Sequence, residues 1–251
     1  MKKWGIAALV LLPVLFWAGC GLPSTSATSA IPTSTKPKTM PVYDISEALA
    51  QGLVTMEASG FVGTAFLGAS SGDVIKLSFQ RQKPETIKII VPPGTVLINS
   101  DARHQDMVIM RLKGQNPGIM GYYPIHEVVL YGDDRQDYLF EAYCQDMEKD
   151  NIHENNSFTL GTPAAADVVA VLNAAAGMEL GETAFQSTQV ALWALTDDPT
   201  RAEIDKRFKT DDAGLAGAWA ILEQAGQDPA GRKLFAGYTA PPTPASTSPA
   251  G

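Results

Sequence analysis

Cysteine is nearly absent: the 251-residue chain has 2, Cys20 and Cys144. Cys20 follows directly on an apolar N-terminal run, so the folded body is left with a single thiol, and a lone thiol in an exported chain calls for a chemical reason. Histidine is almost as scarce, with 3 residues. His104, His126 and His153 follow no ligand spacing, which argues against a metal site built on them. No phosphate-cradling glycine loop, dinucleotide fingerprint or zinc-type Cys/His spacing occurs, and no cofactor is expected. Positive charge is in deficit, with a formal net charge of −8 and no basic patch, which excludes nucleic acid as a natural partner. No hydrophobic run is long enough to cross a bilayer; the longest, residues 6–16, falls short. Between the strand candidates no helical pattern intervenes, which disfavours a parallel βαβ architecture.

What is present begins with a targeting signal. Lys2 and Lys3 form a short basic region, the apolar run follows, and Ala18-Gly19-Cys20 resembles the bacterial lipobox, in which the cysteine is diacylated and becomes the mature N-terminus. The resemblance implies a membrane-lipid partner through acylation of Cys20 and a lipid-anchored protein of a bacterial cell membrane, facing the outside or the periplasm. Residues 1–20 are thus the signal peptide. Residues 21–42, rich in Ser, Thr, Ala and Pro, read as a tether, and residues 239–251 read as a disordered tail of similar composition.

The body between them is of α+β class: an antiparallel β-sandwich or barrel over 43–160, followed by a small helical subdomain over 161–238. From Leu53 to Gln145 short β-rich runs alternate with turn signals. Strands are expected at 74–79, 86–91, 96–98, 107–112, 128–131 and 138–144. The stretch from Pro92-Pro93-Gly94 to Met107-Val108 is distinctive without pointing to a role. From Pro163 the pattern turns helical. An alanine-rich helix over 164–176 ends at Gly177, and Thr183 and Gln186 have capping-box spacing for a second helix to Thr196. Asp198-Pro199 is an N-cap and first-turn signature for a third helix to Phe208. Asp212 caps a fourth over 213–225. These helices are too short to stand alone and must pack on the sheet.

Two residues stand out against this background. In a strand over 138–145, Tyr138, Phe140, Ala142 and Cys144 share the apolar face, which points Cys144 inward, while Leu139, Glu141, Tyr143 and Gln145 share the other. In the second helix Phe185, Gln189 and Trp193 form one row, flanked by Leu192 and Thr196. Gln189 therefore sits in an aromatic stripe. A buried carboxamide without partners costs roughly 2–7 kcal/mol, so backbone groups or covalent condensation with Cys144 must satisfy it.

Tyr143-Cys144, followed 45 residues later (189 − 144) by Thr188-Gln189-Val190-Ala191-Leu192-Trp193, resembles the thioester domains of Gram-positive surface adhesins. These pair an aromatic-Cys dipeptide with a later Thr-Gln-x-Ala motif. The resemblance covers residues 140–208 and extends to Trp193-Ala194-Leu195-Thr196-Asp197. It implies a β-barrel or sandwich joined to a helical subdomain, with a Cys144–Gln189 thioester between them. It further implies covalent attachment to an amine on a surface protein or other amine-bearing ligand. The family's sortase-type anchor and stalk of repeated domains have no counterpart, and a lipid tether at the other end takes their place. Phe140, Tyr143, Phe185, Leu192 and Trp193 are the candidate dry walls of the site, and His126, His153 and Glu141 are candidate bases. Such a protein reacts once and is not an enzyme.

Competing readings rest on the same residues. A buried Cys144 is most simply a small hydrophobe, and the chain is then a noncovalent envelope-binding or structural lipoprotein. A hydrolase pairing Cys144 with His153 lacks an orienting group and an oxyanion hole. Asp133-Asp134 and Asp197-Asp198 have calcium-ligand chemistry but suit turns and caps better. Asn155-Asn156-Ser157 fits a glycosylation acceptor, which means little in a bacterial lipoprotein.

Overall fold

A computed structural model describes residues 39–61, 71–116, 122–207 and 209–239, with side chains described from 75 onward in the second segment. Cys20, the signal segment, nearly all of the tether and almost the whole tail lie outside the described residues. Strands alternate with turns as far as residue 160, and helices α2 to α5 follow. The elements are β1 (Val42–Asp44), α1 (Ile45–Ala50), β2 (Val54–Gly60), β3 (Ser71–Arg81), β4 (Ile87–Ile90), β5 (Val96–Asn99), β6 (Met107–Asn116), β7 (Val128–Leu130), β8 (Gln136–Cys144) and β9 (Ser157–Leu160). They continue with α2 (Ala166–Ala176), α3 (Ala184–Thr196), α4 (Arg201–Arg207) and α5 (Asp212–Gln224).

Six strands close an antiparallel barrel in the order β2-β3-β8-β6-β5-β9, with β9 returning to β2. Closure removes every free edge from this sheet. β1, β4 and β7 form a separate three-stranded sheet, parallel between β1 and β4 and antiparallel between β4 and β7. The β-class expectation thus resolves to a closed barrel with a small accessory sheet. The closing strand β9 is only four residues long, but Ser157-Phe158-Thr159-Leu160 does alternate polar and apolar. The segment beginning Pro92-Pro93-Gly94 is a tight turn into β5. Thr95 N donates to Pro92 O at 3.2 Å and Gly94 has φ +88, so Pro93 and Gly94 fill the two central positions of a type II turn.

β8 is the axis of the molecule, pairing with β3 on one side and β6 on the other. Its residues 138–144 are all buried, so the expected division into an inward and an outward face does not hold. Helix α3 contacts β8 and β3, α2 and α5 pack on α3, and one continuous apolar core runs through barrel and helices.

Gly177 closes α2 as expected, while the N-termini of α3, α4 and α5 depart from the expected caps. Thr183 makes no cap; its hydroxyl donates to Leu180 O at 2.9 Å, because a 3₁₀ turn over Gly181–Thr183 leads directly into α3. The third helix starts later than Asp198-Pro199. Asp198 sits at φ +47 and its carboxylate accepts from Lys233 N. Thr200 and Glu203 form the capping box instead, Glu203 Oε2 accepting from Thr200 N at 2.7 Å. Asp211 rather than Asp212 caps α5, accepting from Gly214 N at 2.7 Å.

Candidate functional site

Gln189 is fully buried in the middle of α3, in a run from Ser187 to Ala194 that is buried on every side. Such a helix lies between two layers, here the barrel wall and α5. Its side chain reaches the last residue of β8. Gln189 Oε1 accepts from Cys144 N at 2.9 Å, and Gln189 Nε2 donates to Cys144 O at 2.8 Å.

The ladder explains why Cys144 offers both groups. Neighbouring residues of an antiparallel strand turn their N–H and C=O to opposite sides. Gln145 N donates to Asp106 O, toward β6, so the peptide groups of Cys144 point to the β3 side. There the pairing ends at Ser71 and Tyr143. The carboxamide takes the next place in the ladder and stands in for a peptide group. It satisfies two main-chain groups that would otherwise cost about 1–3 kcal/mol each when buried.

The thiol lies against the opposite strand. Cys144 Sγ is 3.9 Å from Met107 Sδ, its register partner on β6. Burial pushes the Cys144 thiol well above its ordinary range, and the Arg207 guanidinium opposes this only in part. The sulfur is therefore held protonated in an apolar setting.

Beside the pair, the Tyr143 hydroxyl donates to Glu141 Oε1 at 2.6 Å. Glu141, two residues along the same strand and itself buried, accepts from Arg111 Nε at 2.7 Å and lies 3.8 Å from Lys113 Nζ. Burial first, and the Glu141 charge second, push the Tyr143 phenol far up, so it remains a donor at all ordinary pH. Thr188 donates to Ala184 O at 2.7 Å.

The predicted walls are placed unequally. Tyr143, Leu192 and Trp193 are buried beside or one turn from Gln189. Phe185 is 40% exposed and only tilts against Tyr143, with ring centroids 6.4 Å apart. It stands in the first turn of α3, where the covering layer ends. Phe140 is buried four residues up β8 and lines a different cleft of about 320 Å³ with Ile89, Leu112 and Val128. Of the candidate bases, Glu141 joins the hydroxyl network above. His126 borders the cleft beside β7, and His153 is stacked edge-on against His104 at 5.1 Å. Asp133 pairs with Arg81, and Asp198 pairs with Lys233. The Asp197 carboxyl is pushed up by burial and accepts from Thr196. No group of three potential metal ligands occurs among the described residues. Met107 and Arg111 reach the site through strand register, which no local pattern announces.

Comparison with protein-family models, with curated proteins and with solved structures finds no match.

Proposed function

We propose that this chain is a lipid-tethered bacterial surface protein whose Cys144 and Gln189 condense to an internal thioester, which then captures an amine on a partner. The observation that supports it most directly is the docking of the Gln189 carboxamide on the peptide groups of Cys144 itself. Attack by Sγ on the Gln189 amide carbon forms the S–C bond and breaks the C–N bond. The thiol proton leaves with the amide nitrogen as ammonia. The Cys144 N–H, already on Oε1, is placed to stabilise negative charge on that oxygen. The Cys144 carbonyl holds the nitrogen that departs. In the capture step an incoming primary amine adds to the same carbon, loses a proton and expels the sulfur, which regains its proton as a thiol. The product is an amide crosslink. Tethering through a diacylated Cys20 supplies the stable membrane hold that such a capture device uses.

A second reading has its own observation. Cys144 and Gln189 are both without solvent exposure, and the carboxamide is satisfied as it stands, which suits an inert joint between barrel and helices in a noncovalent envelope module. Methylamine separates the two. If the thioester is present, the full-length protein gains about 31 Da, the adduct maps to Gln189, and Cys144 becomes titratable after unfolding. An unchanged mass, with Cys144 alkylated readily on unfolding before any treatment, establishes the inert joint.

A further inference from the structure

Cys144 is the last residue of β8, and the Gln189 carboxamide serves its peptide groups on the β3 side. On the β6 side a second buried carboxamide, that of Gln105, holds the chain just beyond it. Gln145 N donates to Asp106 O at 3.1 Å, and one residue on Asp146 N donates to Gln105 Oε1, also at 3.1 Å. Gln105 Nε2 donates to Lys149 O at 2.8 Å, so this side chain bridges the turn that follows β8. Arg207 of α4 donates to the same Lys149 carbonyl. Gln105 is itself fixed through its main chain. Its N–H donates to Asp150 O at 2.9 Å, and its C=O accepts from Asn99 Nδ2 of β5 at 3.2 Å. The end of β8 cannot slide or fray without breaking this buried bridge. Extended chain advances about 3.3 Å per residue, so a slide of even part of one residue takes the Cys144 peptide groups out of hydrogen-bond reach of Gln189.

We propose that Gln105 is the positioning residue that holds the end of β8, and with it Cys144, in register with Gln189 for bond formation. The inference rests on the thioester reading and goes beyond it. It assigns a role to a residue that belongs to neither motif and acts through the backbone on which Cys144 is carried.

The test is the fraction of purified full-length chains that take up methylamine, compared with the fraction carrying a titratable thiol. Gln105→Met keeps the length of the side chain and removes the bridge. It is expected to lower the ratio of bonded to unbonded chains by roughly tenfold or more, since misplacement of about 1 Å costs on the order of a hundredfold in rate. Gln136→Met is the control. It removes a buried carboxamide from the opposite end of β8, where Gln136 Nε2 donates to Tyr131 O at 2.7 Å. It is expected to lower the melting temperature and leave the ratio alone. A wild-type ratio in Gln105→Met, or an equal fall in both variants, overturns the proposal while the thioester stands. Absence of any methylamine uptake in the wild-type protein overturns the thioester itself. If Gln105→Met does not fold, Gln105→Asn decides. It keeps the carboxamide but is one methylene too short to reach both Asp146 N and Lys149 O. A lowered ratio sustains the bridge, and a wild-type ratio rejects it.

Discussion

The energetic weight of the site falls on the Gln189 carboxamide, which serves two main-chain groups that no water reaches. Gln189→Leu keeps the volume and removes the two hydrogen bonds that the carboxamide makes to the buried N–H and C=O of Cys144. A loss of about 2–5 kcal/mol is expected in urea unfolding, against well under that for Gln186→Leu, whose carboxamide donates to Lys209 O near the surface. The thiol carries a pH signature that depends on its chemical state. Burial raises its folded pKa above the unfolded value of about 8.5. Between those two values the folded state holds a proton that the unfolded state has lost. Stability from this group is thus complete below about pH 8.5 and declines above it, by up to about 1.4 kcal/mol per pH unit. A thioester has no such proton. If Cys144 is a thiol, the wild-type protein loses stability relative to Cys144→Ala between about pH 8.5 and 9.5, before the tyrosines titrate. If it is bonded, the two slopes coincide. At this scale the burial of Gln189 was legible, because a helix row carries local spacing information, whereas the strand-face alternation of β8 was not, since both of its faces are covered. The exposure of Phe185 was not legible either, because the i, i+4 row says nothing of where the layer above the helix stops. Met107 and Arg111 enter through a β6 ladder with register shifts after Ile109 and Leu112, and no single strand announces its partner's bulges.

One close contact between helices is set by a glycine. A Cβ on Gly217 of α5 would stand 2.2 Å from Ser187 Oγ and 2.8 Å from Ser187 Cβ on α3. The two helices approach there because neither carries bulk, in the manner of small-residue helix crossings. Gly217→Ala improves helix propensity by about 1 kcal/mol, yet overpacks a buried contact, which costs typically 1–3 kcal/mol. The contact cannot give easily, since Ser187 is fully buried in the same helix that positions Gln189. Net destabilisation in a thermal melt is the expected outcome, with a smaller bonded fraction if the thioester forms. Ser187 Oγ has no hydrogen-bond partner, so Ser187→Ala is expected to be neutral or stabilising in the same assay. Helix existence was legible from apolar periodicity and alanine content, as was the Gly177 C-cap of α2, but the N-caps were not. Asp198-Pro199 has the right residues for a start. The chain spends Asp198 on Lys233 instead, and the Thr200–Glu203 pair, three residues apart, takes over. Long-range partners outbid a local signature whenever the capping side chain is within reach of both.

On the scale of the whole molecule the barrel and the helices cannot be separated without exposing β8. Tyr143 and Glu141 on its helix-facing side are buried with α3 in place, and the core is continuous across the junction. The composition change at Pro163 marks a change of element type, and composition alone carries no information on whether two element types share one core. The shared core predicts cooperative unfolding. The tryptophans offer a way to see it: among the described residues they are Trp193 on α3 and Trp219 on α5, and the barrel contains none. Tryptophan emission therefore follows the helices, while the near-ultraviolet tyrosine signal, obtained in a Trp193→Phe, Trp219→Phe, Tyr238→Phe background that removes the tyrosine packed against the helices, follows the β half. The two curves are expected to share one urea midpoint. Truncation after Gly161 is expected to leave a chain with no cooperative transition, because the helix-facing side of β8 would then be open to water. Two separated midpoints, or a folded truncated barrel, would show that α3 is a docked lid on an independent barrel. The Cys144–Gln189 contact would then be the latch between two bodies, where the shared core makes it a joint inside one.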